Sequence, residues 1–239
     1  MRGGEKLIPS YEQDNLFLIS PEKLTDRIDV FFHQPSYYYL LKTLKEKENQ
    51  KTCTLKNLND FEKIPNFESA IGDTKQYKYI EISSIDGERG FIMAGEWDEG
   101  TREQLADRAK VPLKENDVLF SKPFRSLKKV AIAPKELDGQ LASSGFYGIR
   151  PKDYAEACLL WAILRSRIVQ KQFSHLSSGY TQRELNEEYL KEYLVIPIPA
   201  NKDAMAKHIA QEIKKAKQAR AQELTSISAI LEAPNEILK

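Results

Sequence analysis

A basic run held between two apolar bursts, inside residues 111–150, does most to limit the fold open to this chain. Val118, Leu119 and Phe120 follow the turn-prone Lys114, Glu115, Asn116 and Asp117, and Val130, Ala131, Ile132 and Ala133 end at Pro134. Both bursts are short and punctuated by breakers, which predicts two strands. Between them, residues 121–129 carry Lys122, Arg125, Lys128 and Lys129 and no acid. That composition suits a phosphate backbone, and it also suits a solvated loop. A third strand-like run, Phe146, Tyr147, Gly148 and Ile149, follows Ala142, Ser143, Ser144 and Gly145, small residues that permit a tight corner or a close backbone approach.

Any preference for nucleic acid must come from such local segregation, because the overall charge is balanced. Lys plus Arg number 36 against 35 Asp plus Glu, a formal charge of +1 over 239 residues. A 41% hydrophobic content is enough for at least one proper core. The two cysteines, Cys53 and Cys158, have no paired spacing, so neither a disulfide framework nor a thiolate metal site is indicated and a cytoplasmic setting is expected. No apolar span approaches membrane length, and the first six residues lack the apolar core of a signal peptide, so no membrane partner is expected.

Periodicity organises the rest. Leu16, Phe17, Leu18 and Ile19 read as a strand or ordered arm, Ser20 and Pro21 as a helix start, and residues 36–47 as an amphipathic helix. Tyr77, Tyr79, Ile80 and Ile82 predict a strand, with Phe91, Ile92 and Met93 as its return after a turn at Asp86 and Gly87. Residues 96–109 are polar and irregular. Residues 152–173 predict one buried helix, Thr181 a cap for a short helix over 183–191, and residues 193–198 a short buried strand. Residues 202–231 contain no Gly or Pro, and Pro234 is expected to end the helix they form. Met205, Ile209, Ile213 and Ala216 make one stripe on it, resumed after a phase slip by Leu224, Ile227 and Leu231. A seam of this kind on a projecting helix needs a partner.

Several of these segments together resemble the specificity subunits of type I restriction-modification systems. Residues 113–121 (LKENDVLFS) are similar to a target-recognition segment of that family, with Asn116 where a Gly is usual. Residues 142–146 (ASSGF) and 176–182 (LSSGYTQ) resemble two further segments, and Ile196, Pro197, Ile198 and Pro199 resemble the exit into a helix. Residues 26–32 resemble the entrance to a recognition domain. The matches fall in the family's order and span about residues 77–224.

The resemblance implies an α+β fold: a mixed β-sheet target-recognition domain with packed helices, followed by a long C-terminal coiled-coil helix. It implies an N-terminal arm and helix over residues 1–50, the DNA target-recognition domain over 51–199, and a spacer or dimerisation helix over 200–239. It implies a non-catalytic subunit that reads double-stranded DNA and directs a partner adenine methyltransferase, and possibly a restriction subunit, to a bipartite target. S-adenosylmethionine is expected only on the partner methyltransferase. Such subunits usually carry two recognition domains, and this sequence holds one copy of each motif, so a half-size form that pairs with a second copy through the terminal helix is expected.

Within that reading, Lys122, Arg125, Lys128 and Lys129 are the phosphate candidates, and Arg89, Arg102 and Gln104 the candidates for reaching base edges. Ser143, Ser144, Thr181 and Gln182 lie in the family's segments, where shaping a corner is as reasonable a role as touching DNA. The helix stripe from Met205 to Leu231 is the dimer or partner candidate. No methylation motif, Walker motif or nucleophile elbow occurs, and His33, His175 and His208 have no spacing that makes a zinc site. Two other readings stay open: a protein-interaction module docking through the long helix, and the recognition fragment of a fused methylase or restriction enzyme. A metal nuclease using Asp73 and Glu81 is the weakest, because Ser83 stands where a Lys would be needed.

Overall fold

Short apolar bursts become short strands, and the glycine-poor stretches become helices, in a computed structural model that describes residues 35–45, 50–54, 62–66, 74–179 and 182–237. In chain order they are α1 (Pro35–Lys45), β1 (Gln50–Thr54), β2 (Glu62–Lys63), β3 (Gln76–Ile80), β4 (Ile85–Asp86), β5 (Phe91–Ile92) and β6 (Asp98–Thr101). Then come β7 (Ala109–Pro112), β8 (Val118–Ser121), β9 (Val130–Ile132), β10 (Leu141–Ser143) and β11 (Phe146–Arg150). The carboxyl-terminal part holds α2 (Tyr154–Arg165), α3 (Arg167–Leu176), β12 (Ser177–Ser178), β13 (Glu184–Leu185), α4 (Glu187–Tyr193), β14 (Val195–Pro199) and α5 (Lys202–Ile237). The arm and helix start expected before residue 35, and Thr181, lie outside the described residues.

Strand β8 is the reason the core has two sides. All four of its residues are buried, and successive side chains of a strand point to opposite faces. Val118 and Phe120 enter one apolar cluster with Val130, Tyr147, Ile149 and the helices, whereas Leu119 enters a second cluster with Ile80, Val111, Ala131 and Phe146. A run apolar at every position is what a strand covered on both faces requires. Phe120 stacks on Tyr147 at 5.1 Å and on Phe173 of α3 at 5.2 Å between ring centroids. Truncating such a side chain to Ala costs about 3–5 kcal/mol. Gly148 of β11 faces Ile64 so closely that a Cβ would lie 2.7 Å from Ile64 Cδ1, so this strand needs a residue without a side chain there.

Two four-stranded sheets result, ordered β2-β11-β8-β9 and β6-β3-β10-β7. The first is antiparallel throughout, and the second contains one parallel pair, β3 with β10. The sheet is therefore mixed, as expected. Strand β1 pairs antiparallel with β14 from Gln50↔Pro199 to Thr54↔Val195, tying the start of the body to its end.

Four local expectations are corrected. The return strand for β3 is β6, not residues 91–93; β5 pairs instead with β4 in a minimal hairpin, because the Asp86 carboxylate accepts the Glu88 and Arg89 amides at 2.9 Å each and closes the turn early. Residues 96–109 thus contain a strand. The helix predicted over 152–173 is two helices: Ser166 leaves helical geometry at ψ 147° and its hydroxyl accepts the Val169 amide, ending α2 and capping α3 in one residue. The next helix starts at Glu187, capped by Asn186, whose side chain accepts from Glu188 and Tyr189 at 2.8 and 3.2 Å, and residues 184–185 before it form a strand. Finally, α5 continues through Pro234 to Ile237, since a proline removes one i→i−4 bond without having to end the helix.

Helix α5 docks on α2 and β14 with a face that shares Ile209 and Ile213 with its apolar stripe but turns from Met205 and Ala216 toward Ala206 and Ala210. Ala206 and Ile213 are buried and Ile209 and Ala210 half-buried, a 3-4 repeat facing the body of the same chain. Met205 is exposed, and so is every residue from Lys214 to Glu223, Ala216 included. Ile213 therefore belongs to the intramolecular core. The side chains of Leu224, Ile227 and Leu231 lie outside the described ones.

Candidate nucleic-acid interface

The basic loop between β8 and β9 is rigidly made. Its middle is a single 3-10 turn at Phe124–Ser126, where the Ser126 hydroxyl donates to the Pro123 carbonyl at 3.0 Å and lies 2.6 Å from the Ser121 hydroxyl. The loop is also stitched to two other segments. The Lys122 amide donates to the Gly145 carbonyl at 2.9 Å, the Phe124 amide to the Arg183 carbonyl at 2.9 Å, and the Leu185 amide to the Lys122 carbonyl at 2.8 Å. The residues that directly follow 113–121 and 176–182 thus meet each other, and meet 142–146, at one edge through backbone bonds.

The four loop cations fall into different roles. Arg125 and Lys128 are exposed. Lys122 is mostly covered and stands 3.8 Å from the Glu187 carboxylate, which also pairs with Lys63. Lys129 is a strut: its ammonium donates to the carbonyls of Ile82 at 2.7 Å and Ser83 at 3.4 Å. Burial alone would raise the Glu187 carboxyl, but Lys63, Lys122 and Lys191 outweigh it and hold the carboxyl below its usual range. The same burial, with Glu187 adding to it, pushes the neighbouring Tyr147 hydroxyl up to about 12.

A second cationic edge lies beside the loop. Arg89, at the β4–β5 turn, has a side chain 63% exposed and a guanidinium 3.2 Å from the Asp86 carboxylate. The Arg89 backbone amide, together with the Glu88 amide and the Arg89 guanidinium, holds the Asp86 carboxyl low. An exposed pair of this kind contributes only about 0–1 kcal/mol, so the guanidinium is available to another acceptor. Arg165 and Trp161, one turn apart on α2, fasten this turn to the basic loop through backbone carbonyls.

The other candidates are shapers of corners. Gln104 accepts the Thr101 amide at 2.9 Å, and Arg102 folds over its own turn onto the carbonyls of Ala106 at 3.3 Å and Asp107 at 3.1 Å. Gln104 is exposed and Arg102 partly so. Ser143 is buried, its hydroxyl accepting the Gly145 amide at 3.1 Å, and Ser144 is fixed by its amide on the Arg108 carbonyl at 2.7 Å. Gln182 is exposed beside Gly179, whose φ of +120° only a glycine takes readily.

Three features escaped the sequence reading. Arg183 lies over the half-exposed Phe124 ring, 4.2 Å from its centroid, and donates to the carbonyls of Ser174 and Ser177, locking the loop to the β12–β13 hairpin. Glu187 neutralises Lys122 from more than sixty positions away. Trp161 and Arg165 sit on a helix counted as core, and the one available signal was an Arg inside an apolar stripe. Among the described residues no group of three or more His, Cys, Asp or Glu side chains is placed to hold a metal ion, and no helix is long and apolar enough to cross a membrane.

Known proteins resemble this arrangement. The family model described as "Type I restriction modification DNA specificity domain" matches residues 47–226. Among solved structures, one of a type I R-M system aligns at 22% identity with a TM-score of 0.59, covering 80% of this chain and 47% of that one. The HsdS subunit from Thermoanaerobacter tengcongensis aligns at 22% identity with a TM-score of 0.56, covering 80% and 48%. This chain therefore spans about half the length of the structures it matches, and the likeness is one of fold. No curated protein matches the chain. With the family model covering three quarters of its residues, from the strand that opens the described body into the long terminal helix, the chain belongs to the type I restriction modification DNA specificity domain family.

Proposed function

We propose that this chain reads a sequence in double-stranded DNA and, without chemistry of its own, directs a partner adenine methyltransferase, and a nuclease where one exists, to a bipartite target. The observation that carries the reading is the meeting of three separate segments at one edge that exposes Arg125 and Lys128 beside Arg89. Lysine and arginine on a fixed backbone supply phosphate attraction, and a second set of side chains on the same scaffold supplies base contacts. Family membership supports the same reading. S-adenosylmethionine belongs to the partner, and a cytoplasmic location follows from work on intracellular DNA.

Two copies joined through α5 would give the two half-sites. The helix runs 36 residues, about 54 Å at 1.5 Å per residue. Roughly its first three turns lie against the body, and the exposed stretch beginning at Lys214 is what remains for a second copy. Methylome sequencing of a host with and without this chain tests the whole reading. Loss of one bipartite adenine-methylation motif is the expected result, and an unchanged methylome overturns it.

A further inference from the structure

The β4–β5 turn and the end of the basic loop are remote in sequence, yet two side chains of α2 bridge them and a lysine of the loop holds the residues just before β4. Arg165 donates to the carbonyls of Gly87 at 3.2 Å, Lys128 at 3.3 Å, and Glu88. Trp161 Nε1 is shared between the carbonyls of Gly90 at 3.0 Å and Val130 at 3.2 Å, and Lys129 reaches back to Ile82 and Ser83. Gly90 adopts φ +74°, and a Cβ there would lie 2.6 Å from Arg165 Nη1 and 2.8 Å from Trp161 Cζ2. The turn is pressed against the clamp without room for a methyl group. Every acceptor is a backbone carbonyl, so the clamp fixes where the turn sits without engaging the turn's own side chains.

We propose that Arg165 is a positioning residue for DNA readout, holding the turn that carries Arg89 in register with Lys128 so that a phosphate contact at Lys128 places Arg89 against a base edge. This rests on the recognition function proposed above. Range decides what its loss does. Attraction to phosphate acts over a screening length of about 8–10 Å and tolerates a shift of an ångström, whereas a base hydrogen bond holds only near 2.7–3.2 Å. Removing the clamp costs discrimination and spares general affinity.

The test uses the full chain with a duplex library carrying randomised positions. The sequence enriched by wild type is compared with a scrambled duplex. Arg165→Ala is expected to lower the ratio of selected to scrambled binding about tenfold or more, with scrambled binding changed less than about threefold and an unaltered salt slope. Arg165→Lys keeps the charge but lacks the fork that spans several carbonyls, and is expected to behave like Arg165→Ala. Full discrimination by Arg165→Lys overturns the bridging role. Thermal unfolding identifies a variant that fails to fold, and Gly90→Ala then carries the test: a Cβ there would lie 2.6 Å from Arg165 Nη1, so it pushes the turn off the clamp while Arg89, Lys128 and Arg165 all stay in the chain. It is expected to lower the same ratio with scrambled binding changed less than about threefold, and full discrimination by Gly90→Ala overturns the proposal. A wild-type chain that enriches no sequence removes the recognition reading and this inference with it. Enrichment by wild type with the wild-type ratio retained in both Arg165 variants removes only this inference.

Discussion

Arg150 grips the buried carboxylate of Asp117 with two hydrogen bonds of 2.9 Å, one from Nε and one from Nη2. The same carboxylate accepts the Lys114 amide at 2.7 Å, so one side chain closes the turn before β8 and ties it to the end of β11. Asp117 is fully buried. Replacing it with Ala leaves a guanidinium facing a dry site and an amide without an acceptor, and breaking a buried pair from one side costs about 3–5 kcal/mol. Chemical denaturation of Asp117→Ala should show a loss of that size, with the double variant Asp117→Ala/Arg150→Met recovering part of it.

Asn116 adopts φ +73° in the turn just before it. The left-handed region costs a residue with a Cβ about 1–2 kcal/mol, and Asn bears it better than most. Asn116→Gly should therefore hold or slightly raise the unfolding midpoint, while Asn116→Val should lower stability by at least about 1 kcal/mol. A midpoint for Asn116→Val equal to wild type would contradict the backbone geometry.

The Glu187 carboxyl is held low by its lysines despite burial, and the sign of the linkage follows. A carboxyl depressed in the folded state binds fewer protons there than in the unfolded chain. Its stabilising contribution is complete above the ordinary carboxylate pKa, about 4.3, and is lost as pH falls through the folded value. Denaturation of wild type and Glu187→Gln across pH 3 to 7 (roughly the window set by that pKa) should give curves that differ at the upper end and converge at the lower. Glu187→Gln should also free Lys122 and raise affinity for random duplex.

For DNA itself, Lys128→Ala should weaken cognate and random duplexes alike and flatten the salt dependence by about one ion. Arg89→Ala should cost about 1–3 kcal/mol on the selected duplex alone. Titrations at several salt concentrations separate the two, and equal losses on both duplexes for Arg89→Ala would remove it from the readers of sequence.

The strands around the basic loop were legible because their cause is local: a doubly covered strand needs an apolar residue at every position, and Val118, Leu119 and Phe120 supply it. The turn at Asn116 was legible as a departure from Gly, and the structure gives the positive φ that explains the preference. The roles of the cations were not legible. Lys122, Arg125, Lys128 and Lys129 look alike in sequence, and what separates them is a distant partner: Glu187 for Lys122, and the carbonyls of Ile82 and Ser83 for Lys129. The break at Ser166 was missed because the apolar periodicity continues across it, while a hydroxyl that caps and terminates in one residue leaves only a single Ser between two Arg as its sign. The docking of α5 on its own body through Ala206 and Ala210, beside Ile209 and Ile213 of the stripe, was not legible for a related reason. Ala206 counts for little on a hydropathy scale, yet a small residue is what lets one helix approach another.

Pairing residues 50–54 with residues 195–199 brings the entry and the exit of the body to adjacent strands about 5 Å apart. A unit whose two connections leave from one doorway can be spliced into a longer polypeptide, or exchanged for another of the same kind, with little strain on what flanks it. Changes made between these two strands therefore leave the positions of both connections as they are.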